Sequence, residues 1–313
     1  MLPSRMYPSR KSRTSFLCLL LAVFFLVPAG CRLVPILDPT DPDPNPNPEI
    51  VEEKTGNWER IEVAPGFLLT NNMWGIEKET DQVKQVIFLY SDNSYGWEWE
   101  RGKTGQKGNY PEVVFGVKPW GQREEYFLEG SGLPLQLDEV DSLTMEVDLD
   151  YKISHDTGEN AWWNLAFEVW LTEEKPGGNV ADSITDEIMI WFDWKDVPWD
   201  PKEEEWEDAE AVQDGPYEYA YCLSKDEWGE GEWQWHYHQF RIKEKGRIPE
   251  EVNIKSFIDY IRERHQRNGK LWLGSLEFGM EYGDYTAGRV QIKKLEYVIN
   301  GKRVASGRTG KGK

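Results

Sequence analysis

The sequence predicts an all-β fold, a jelly-roll sandwich of two antiparallel sheets with one short helix and a concave substrate cleft. Three observations lead there. Apolar and polar residues alternate with period two in seven segments between Ser142 and Ile299. Turn signals such as "EKPGG" (Glu174–Gly178) and "NGK" (Asn268–Lys270) separate these segments. Late in the chain, "NIKSFIDYIRERHQRNG" (Asn253–Gly269) shifts to helical spacing. Many strands and a single helix fit a sandwich of this type.

In chain order, residues 1–30 read as an export signal. Arg5, Arg10, Lys11 and Arg13 precede the apolar run Phe16–Val27, which is shorter than the roughly 20 residues a membrane span needs. "PAGC" ending at Cys31 resembles a lipobox, whose cysteine becomes lipidated; Pro28 stands where that motif prefers Leu. Ordinary cleavage nearby, or an uncleaved anchor, is the alternative. Residues 31–54 form a Pro-rich linker around "LDPTDPDPNPNPE" (Leu37–Glu49), where each proline lacks a donor and fixes φ. The folded domain is expected over 55–301, and the basic, Gly-rich 302–313 as a flexible tail. Cys18 leaves with the signal, so Cys31 and Cys222 imply no disulfide framework. Cys222, in the alternating "YEYAYCLS", reads as a small buried hydrophobe.

The strands follow. "SLTMEVDLDYKI" (Ser142–Ile153) sets Leu143, Met145, Val147, Leu149 and Tyr151 on one face; "WNLAFEVWLT" (Trp163–Thr172) comes next. In "SITDEIMIWFDW", Glu187, Met189, Trp191 and Asp193 share a face opposite Ile188, Ile190, Phe192 and Trp194. "YEYAYCLS", "EWQWHYHQFRIK" (Glu232–Lys243), "LWLGSLEFGMEY" (Leu271–Tyr282) and "VQIKKLEYVI" (Val290–Ile299) complete the series. In the helix, Ile254, Phe257, Ile258 and Ile261 form the apolar stripe, Asn253 is the N-cap and Gly269 the stop. The acidic run Asp200–Glu210 lacks the alternation of a calcium loop and reads as a solvated loop. His236 and His238 fall on one strand face; with only His155 and His265 elsewhere, no third metal ligand is indicated. No metal or cofactor is expected.

Composition narrows the partner. The chain carries 56 acidic against 36 basic residues, a net charge of -20, which disfavours nucleic acid. Sixteen Trp, 14 Tyr and 12 Phe suit a neutral, hydroxyl-rich polymer, whose apolar sugar faces stack on flat rings. The plainer alternative is that Trp fills a core and acid keeps the surface soluble.

Glu187 decides between them. It is an acid placed among Met189 and Trp191, where desolvation raises a carboxyl pKa and a second carboxyl can split the two values. Glu281, in "EFGMEYGDYTAG", is the candidate partner. Retaining glycoside hydrolysis needs such a pair, one attacking the anomeric carbon and one protonating the leaving oxygen.

At these residues the chain resembles glycoside hydrolase family 12. "NNMWG" (Asn71–Gly75) resembles the family's NN-L-WG, "DEIMIW" its nucleophile strand and "FGMEYGDYTAG" its acid/base strand. The helix falls between the last two, and "GWEWE" (Gly96–Glu100), "YPEVVFG" (Tyr110–Gly116) and "KPWG" (Lys118–Gly121) are similar to its early strands. The resemblance covers about Trp58 to Asn300.

It implies Glu187 as nucleophile, Glu281 as general acid/base, and sugar contacts from Trp58, Trp74, Asn72, Trp120 and Met189. Glu168 stands where the family has an Asp that hydrogen-bonds the nucleophile, and Met280 where it has Thr. The expected activity is endo-cleavage of β-1,4-glucan, cellulose or a relative, by a monomer at the cell surface or outside the cell, tethered through its N-terminus if Cys31 is lipidated. The alternative is a glycan-binding jelly roll without catalysis.

Overall fold

A computed structural model of the chain describes residues 48–308, apart from 79, 121–130, 159, 203–204, 207–208, 224–233 and 267–268. In chain order its strands are β1 (Ile50–Lys54), β2 (Arg60–Ala64), β3 (Phe67–Thr70), β4 (Val83–Tyr90), β5 (Tyr95–Arg101), β6 (Glu112–Gly116), β7 (Leu135–Gln136), β8 (Leu143–Asp156), β9 (Trp163–Thr172), β10 (Ile184–Lys195), β11 (Glu210–Asp214), β12 (Tyr217–Leu223), β13 (His236–Ile242), β14 (Glu251–Val252), β15 (Trp272–Tyr282), β16 (Thr286–Ile299) and β17 (Lys302–Gly307). Helix α1 (Ile254–Arg264) precedes β15.

These strands make two sheets. The outer one runs β1-β4-β5-β16-β8-β14, with β17 hairpinned onto β16. The inner one runs β11-β12-β13-β10-β9-β15-β6-β3-β2, with β7 beside β15. Antiparallel pairing prevails, as the alternating sequence predicts; the exception among the described pairs is β10–β13, where Asp186–Trp191 and His236–Arg241 run parallel. The β11–β12 hairpin between them carries the chain out to the sheet edge and back, which reverses its direction of entry.

The core lies between the sheets. Phe67, Phe115 and Phe167 of the inner sheet surround Tyr297 of the outer one at centroid distances of 5.8, 5.5 and 6.2 Å. Each such ring removed from water contributes about 1.5–3 kcal/mol. In α1 the predicted stripe Ile254, Phe257, Ile258 and Ile261 is buried. Phe257 sets its edge against Tyr219 and Phe240, so α1 backs β12 and β13. The helix stops at Arg264 rather than running on to Gly269, because Gln266 takes the left-handed conformation itself (φ 51°). Asn253 precedes α1 but makes no side-chain cap.

Folded structure extends past 55–301 at both ends. Ile50–Lys54, assigned above to the linker, pairs with β4. Lys302–Gly307, assigned to the tail, pairs with β16 across Asn300-Gly301, whose positive φ values (51° and 75°) make a tight hairpin turn. The export signal, Cys31 and residues 31–47 of the linker lie outside the described residues.

A bulge corrects one face assignment. The β10–β9 register shifts between Trp191 and Asp193. Beyond it Asp193 turns to accept a hydrogen bond from Tyr151 Oη on the outer sheet at 2.5 Å, and Trp194 comes round to Trp191, centroids 6.3 Å apart. The predicted alternation therefore holds from Glu187 to Phe192, which packs on the core residue Phe278, and inverts from Asp193.

Candidate active site

Period-two geometry brings carboxylates from three neighbouring strands to one face of the inner sheet. Glu187 and Met189 project from β10, Glu168 from β9 and Glu281 from β15; Met189 pairs with Glu168, and Glu281 with Asn164. All four line a cavity of about 460 Å³. Trp58, Asn72, Trp74 and Trp120 line the same cavity, so every candidate within the described residues converges there.

The acids are buried: Glu187 and Glu281 are each 8% exposed. Burial pushes the Glu187 carboxyl up to about 7, against hydrogen bonds from Trp235 and Glu168 that favour its charged form. Trp235 Nε1–H donates to Glu187 Oε2 at 2.6 Å. Burial, with the charge of Glu187 added, pushes Glu281 up to about 8. Its partner is Asn164, whose Nδ2 donates at 3.3 Å. Glu168 is held well above the usual carboxylate range by burial, then by Glu277 and Glu187. A protonated Glu168 is therefore the donor in its bond to Glu187. Chemically, this is one carboxyl that ionises first, a second that keeps its proton longer, and a third that orients the first.

Aromatic rings make the walls. Trp58 and Trp74 are each 40% exposed; Lys107 Nζ lies over the Trp74 ring at 5.7 Å. Asn72 is buried, and its amide is engaged: Nδ2 donates to Glu112 Oε1 at 2.8 Å and Oδ1 accepts the Trp74 N–H at 3.0 Å. It fixes the Trp74 loop rather than offering a free amide. Trp120 packs edge-on against Trp170 at 4.4 Å, and Trp170 against Trp235 at 5.5 Å. Tyr237 Oη contacts Met189 Sδ at 3.3 Å, so Met189 shapes the floor.

Sequence reasoning did not single out Trp170, Trp199, Trp235 or Tyr237 as cavity residues. Trp199 arrives with the segment after β10, immediately before the acidic run Asp200–Glu210 expected above to be a solvated loop. Two anchors hold that segment: Arg241 lies between the rings of Trp194 and Trp206 at 4.2 and 4.5 Å, and ion-pairs with Asp200 at 3.3 Å. Trp199 beside the acidic run and Trp206 within it were the signal. On the reverse face of β10, Asp186 lies 2.8 Å from His238 Nε2, and Tyr221 Oη joins His238 to His265 at the end of α1. His238 is thus a buried strand tie behind the site.

In the cavity lining, Lys118 Nζ bridges Glu112 and Glu277, at 2.9 and 2.7 Å. Glu112, Glu168 and Glu277 offer oxygens within 4.8 Å of one another, a spacing that suits a cation. The Lys118 ammonium already serves two of the three.

Comparison with known proteins gives the family and the fold. Residues 65–299 match the model of glycosyl hydrolase family 12. Endoglucanase S of Pectobacterium parmentieri is 30% identical over 244 residues, 72% of this chain and 82% of that protein. A family 12 xyloglucanase from Bacillus licheniformis superposes with a TM-score of 0.61 at 22% identity, over 82% of this chain and 99% of its own. An endoglucanase from Rhodothermus marinus gives 0.58 at 18% identity, over 81% of this chain and 100% of its own. At those identities the two structures speak for the jelly-roll fold.

Proposed function

The chain belongs to glycosyl hydrolase family 12 and is an endo-acting glycosidase, and from that premise we propose that it cleaves internal β-1,4-glucosidic bonds of cellulose or a related β-glucan with retention of configuration. The observation that carries the assignment of roles is the buried Glu187–Glu281 pair on one sheet face, with Glu187 the more acidic. Glu187, ionised and oriented by Trp235 and Glu168, attacks the anomeric carbon. Glu281 gives its proton to the leaving oxygen, then takes one from the water that releases the sugar from Glu187. Trp58 and Trp74 on one side, and Trp120 on another, stack on sugar rings.

Incubating the full chain with soluble β-1,4-glucan tests this. Reducing ends should appear together with an early fall in viscosity, and proton NMR should show the β-anomer first. Binding without cleavage would leave a glycan-binding module; an α-anomer first would overturn retention.

Two further outcomes follow from the site. The kcat/KM profile should be a bell, rising through about pH 7 as Glu187 ionises and falling through about pH 8 as Glu281 loses its proton. These limbs belong to the coupled pair. In Glu281→Gln the alkaline limb should vanish. Trp74→Ala should raise KM for the polymer by about tenfold with kcat nearly kept, since a lost stacking contact is worth roughly 1–1.5 kcal/mol. An unchanged KM would remove Trp74 from the sugar path.

The apolar leader and "PAGC" support export to the cell surface or beyond. The intact mass of the mature chain separates an acylated Cys31 from ordinary cleavage.

A further inference from the structure

Five carboxyl groups and one ammonium share the ground beneath and beside the cavity, and their proton count can be read from the contacts. Lys118 is 4% exposed, and Glu112 and Glu277 are fully buried. Lys118 Nζ touches both oxygens of Glu112 at 2.9 Å and Glu277 Oε2 at 2.7 Å. Glu112 and Glu277 also hydrogen-bond to each other, which places one proton between them. Ser275 Oγ donates to Glu277 at 2.7 Å, and Asn72 to Glu112 at 2.8 Å. Glu168 feels both acids and the ammonium, and hydrogen-bonds Glu187, which needs a second proton. Tyr110, facing Glu168, Glu112, Glu277 and Glu281, is held neutral by burial among them.

With Glu281 protonated, the Glu112–Glu277 pair carries one negative charge and Lys118 cancels it. The remaining anion is Glu187. Its own surroundings are Trp235, Tyr237, Glu168, Glu277 and Glu281, none of which brings a cation. Lys118 is therefore the group that offsets the Glu277 charge, which acts on Glu187 directly.

We propose that Lys118 is a positioning residue for the reaction, holding the Glu112–Glu277 pair electrically silent so that Glu187 ionises as the sole anion of the cleft among the described residues. This rests on Glu187 being the nucleophile. Without the ammonium, Glu187 must ionise beside a second buried anion, or the floor must take up a further proton. Beside that anion a higher pH is needed to charge Glu187, whereas a floor that took up the proton would leave its titration in place and overturn the proposal.

The experiment is the kcat/KM profile of Lys118→Met beside the parent, with ¹³C-carboxyl NMR titration of Glu187 in both. Expected is an upward move of the acid limb, and of the Glu187 titration, by about one pH unit or more. Lys118→Arg should return it to within about half a unit of the parent. An acid limb that stays in place while activity falls at every pH would make Lys118 a structural strut and overturn the proposal.

If Lys118→Met does not fold, Lys118→Met combined with Glu277→Gln removes both charges together. Its limb should lie with the parent's, and an upward shift there would equally overturn the proposal. A parent that fails to cleave glucan would sink the functional reading. The NMR titration, which needs no turnover, would still decide whether Lys118 controls Glu187.

Discussion

Glu187→Gln is expected to lower kcat on soluble β-1,4-glucan by about 10⁴-fold or more, with the fold and glucan binding retained. The substitution keeps the shape of the side chain and leaves Trp235 Nε1–H an oxygen to bond. What it removes is the nucleophile, so no glycosyl ester can form. A substrate with an activated leaving group should not rescue it, because the missing step is bond formation at the anomeric carbon. Azide added to Glu187→Ala should rescue instead, and should yield the α-glycosyl azide, since the small anion attacks from the face the carboxylate occupied. Reducing-end assays and product NMR check both. Activity within tenfold of the parent in Glu187→Gln would remove Glu187 from this role.

Glu281→Gln should have two effects of opposite sign. Activity on polymeric glucan should fall about 10²–10⁴-fold, the range for a lost general acid. With a dinitrophenyl leaving group, which needs no proton, the first step should be nearly unaffected. Stability should rise in alkali. The Glu281 pKa is raised from 4.5 in the unfolded chain to about 8 in the native one. The native state thus binds more protons between those values, and stability falls as pH rises through that window. Above about pH 8 the full cost applies, and the uncharged amide escapes it, by up to a few kcal/mol. Thermal unfolding at pH 5 and pH 9 reads the difference: the variant should gain several degrees over the parent at pH 9 and little at pH 5. An equal gain at both would mean that packing, not ionisation, is responsible.

Much of this site was legible because alternation is a local signal. The run from Asp186 to Trp191 announces a strand, and an acid among apolar neighbours announces a site. What escaped depends on register and on distant chain. The bulge at Trp191–Asp193 inverts a face, and no count along the sequence reveals it. Trp235 meets Glu187 only because β13 lies parallel to β10. Lys118, beside a proline, gives no hint of burial; it is buried because Glu112 and Glu277 arrive on adjacent strands. One miss was avoidable. Asn300-Gly301 between two alternating runs is a strong hairpin signal, and β17 follows it. The early β1 had a weaker one, five residues with exposed acids that pair only at the sheet edge.

The placement of β16 has a consequence for biosynthesis. It is the penultimate strand to be made, yet it lies in the interior of the outer sheet, joining β5 on one side to β8 on the other. Until Thr286–Ile299 leaves the ribosome, the outer sheet exists only as two unconnected halves, and the core has no Tyr297. Glu281 emerges only just before it. A chain stopped short of residue 286 would therefore lack its lid of core packing, and one stopped before 281 would lack its acid as well. Translation thus completes the catalytic pair and the cooperative fold almost together, so prematurely terminated chains would yield proteolysis substrates rather than half-active enzymes.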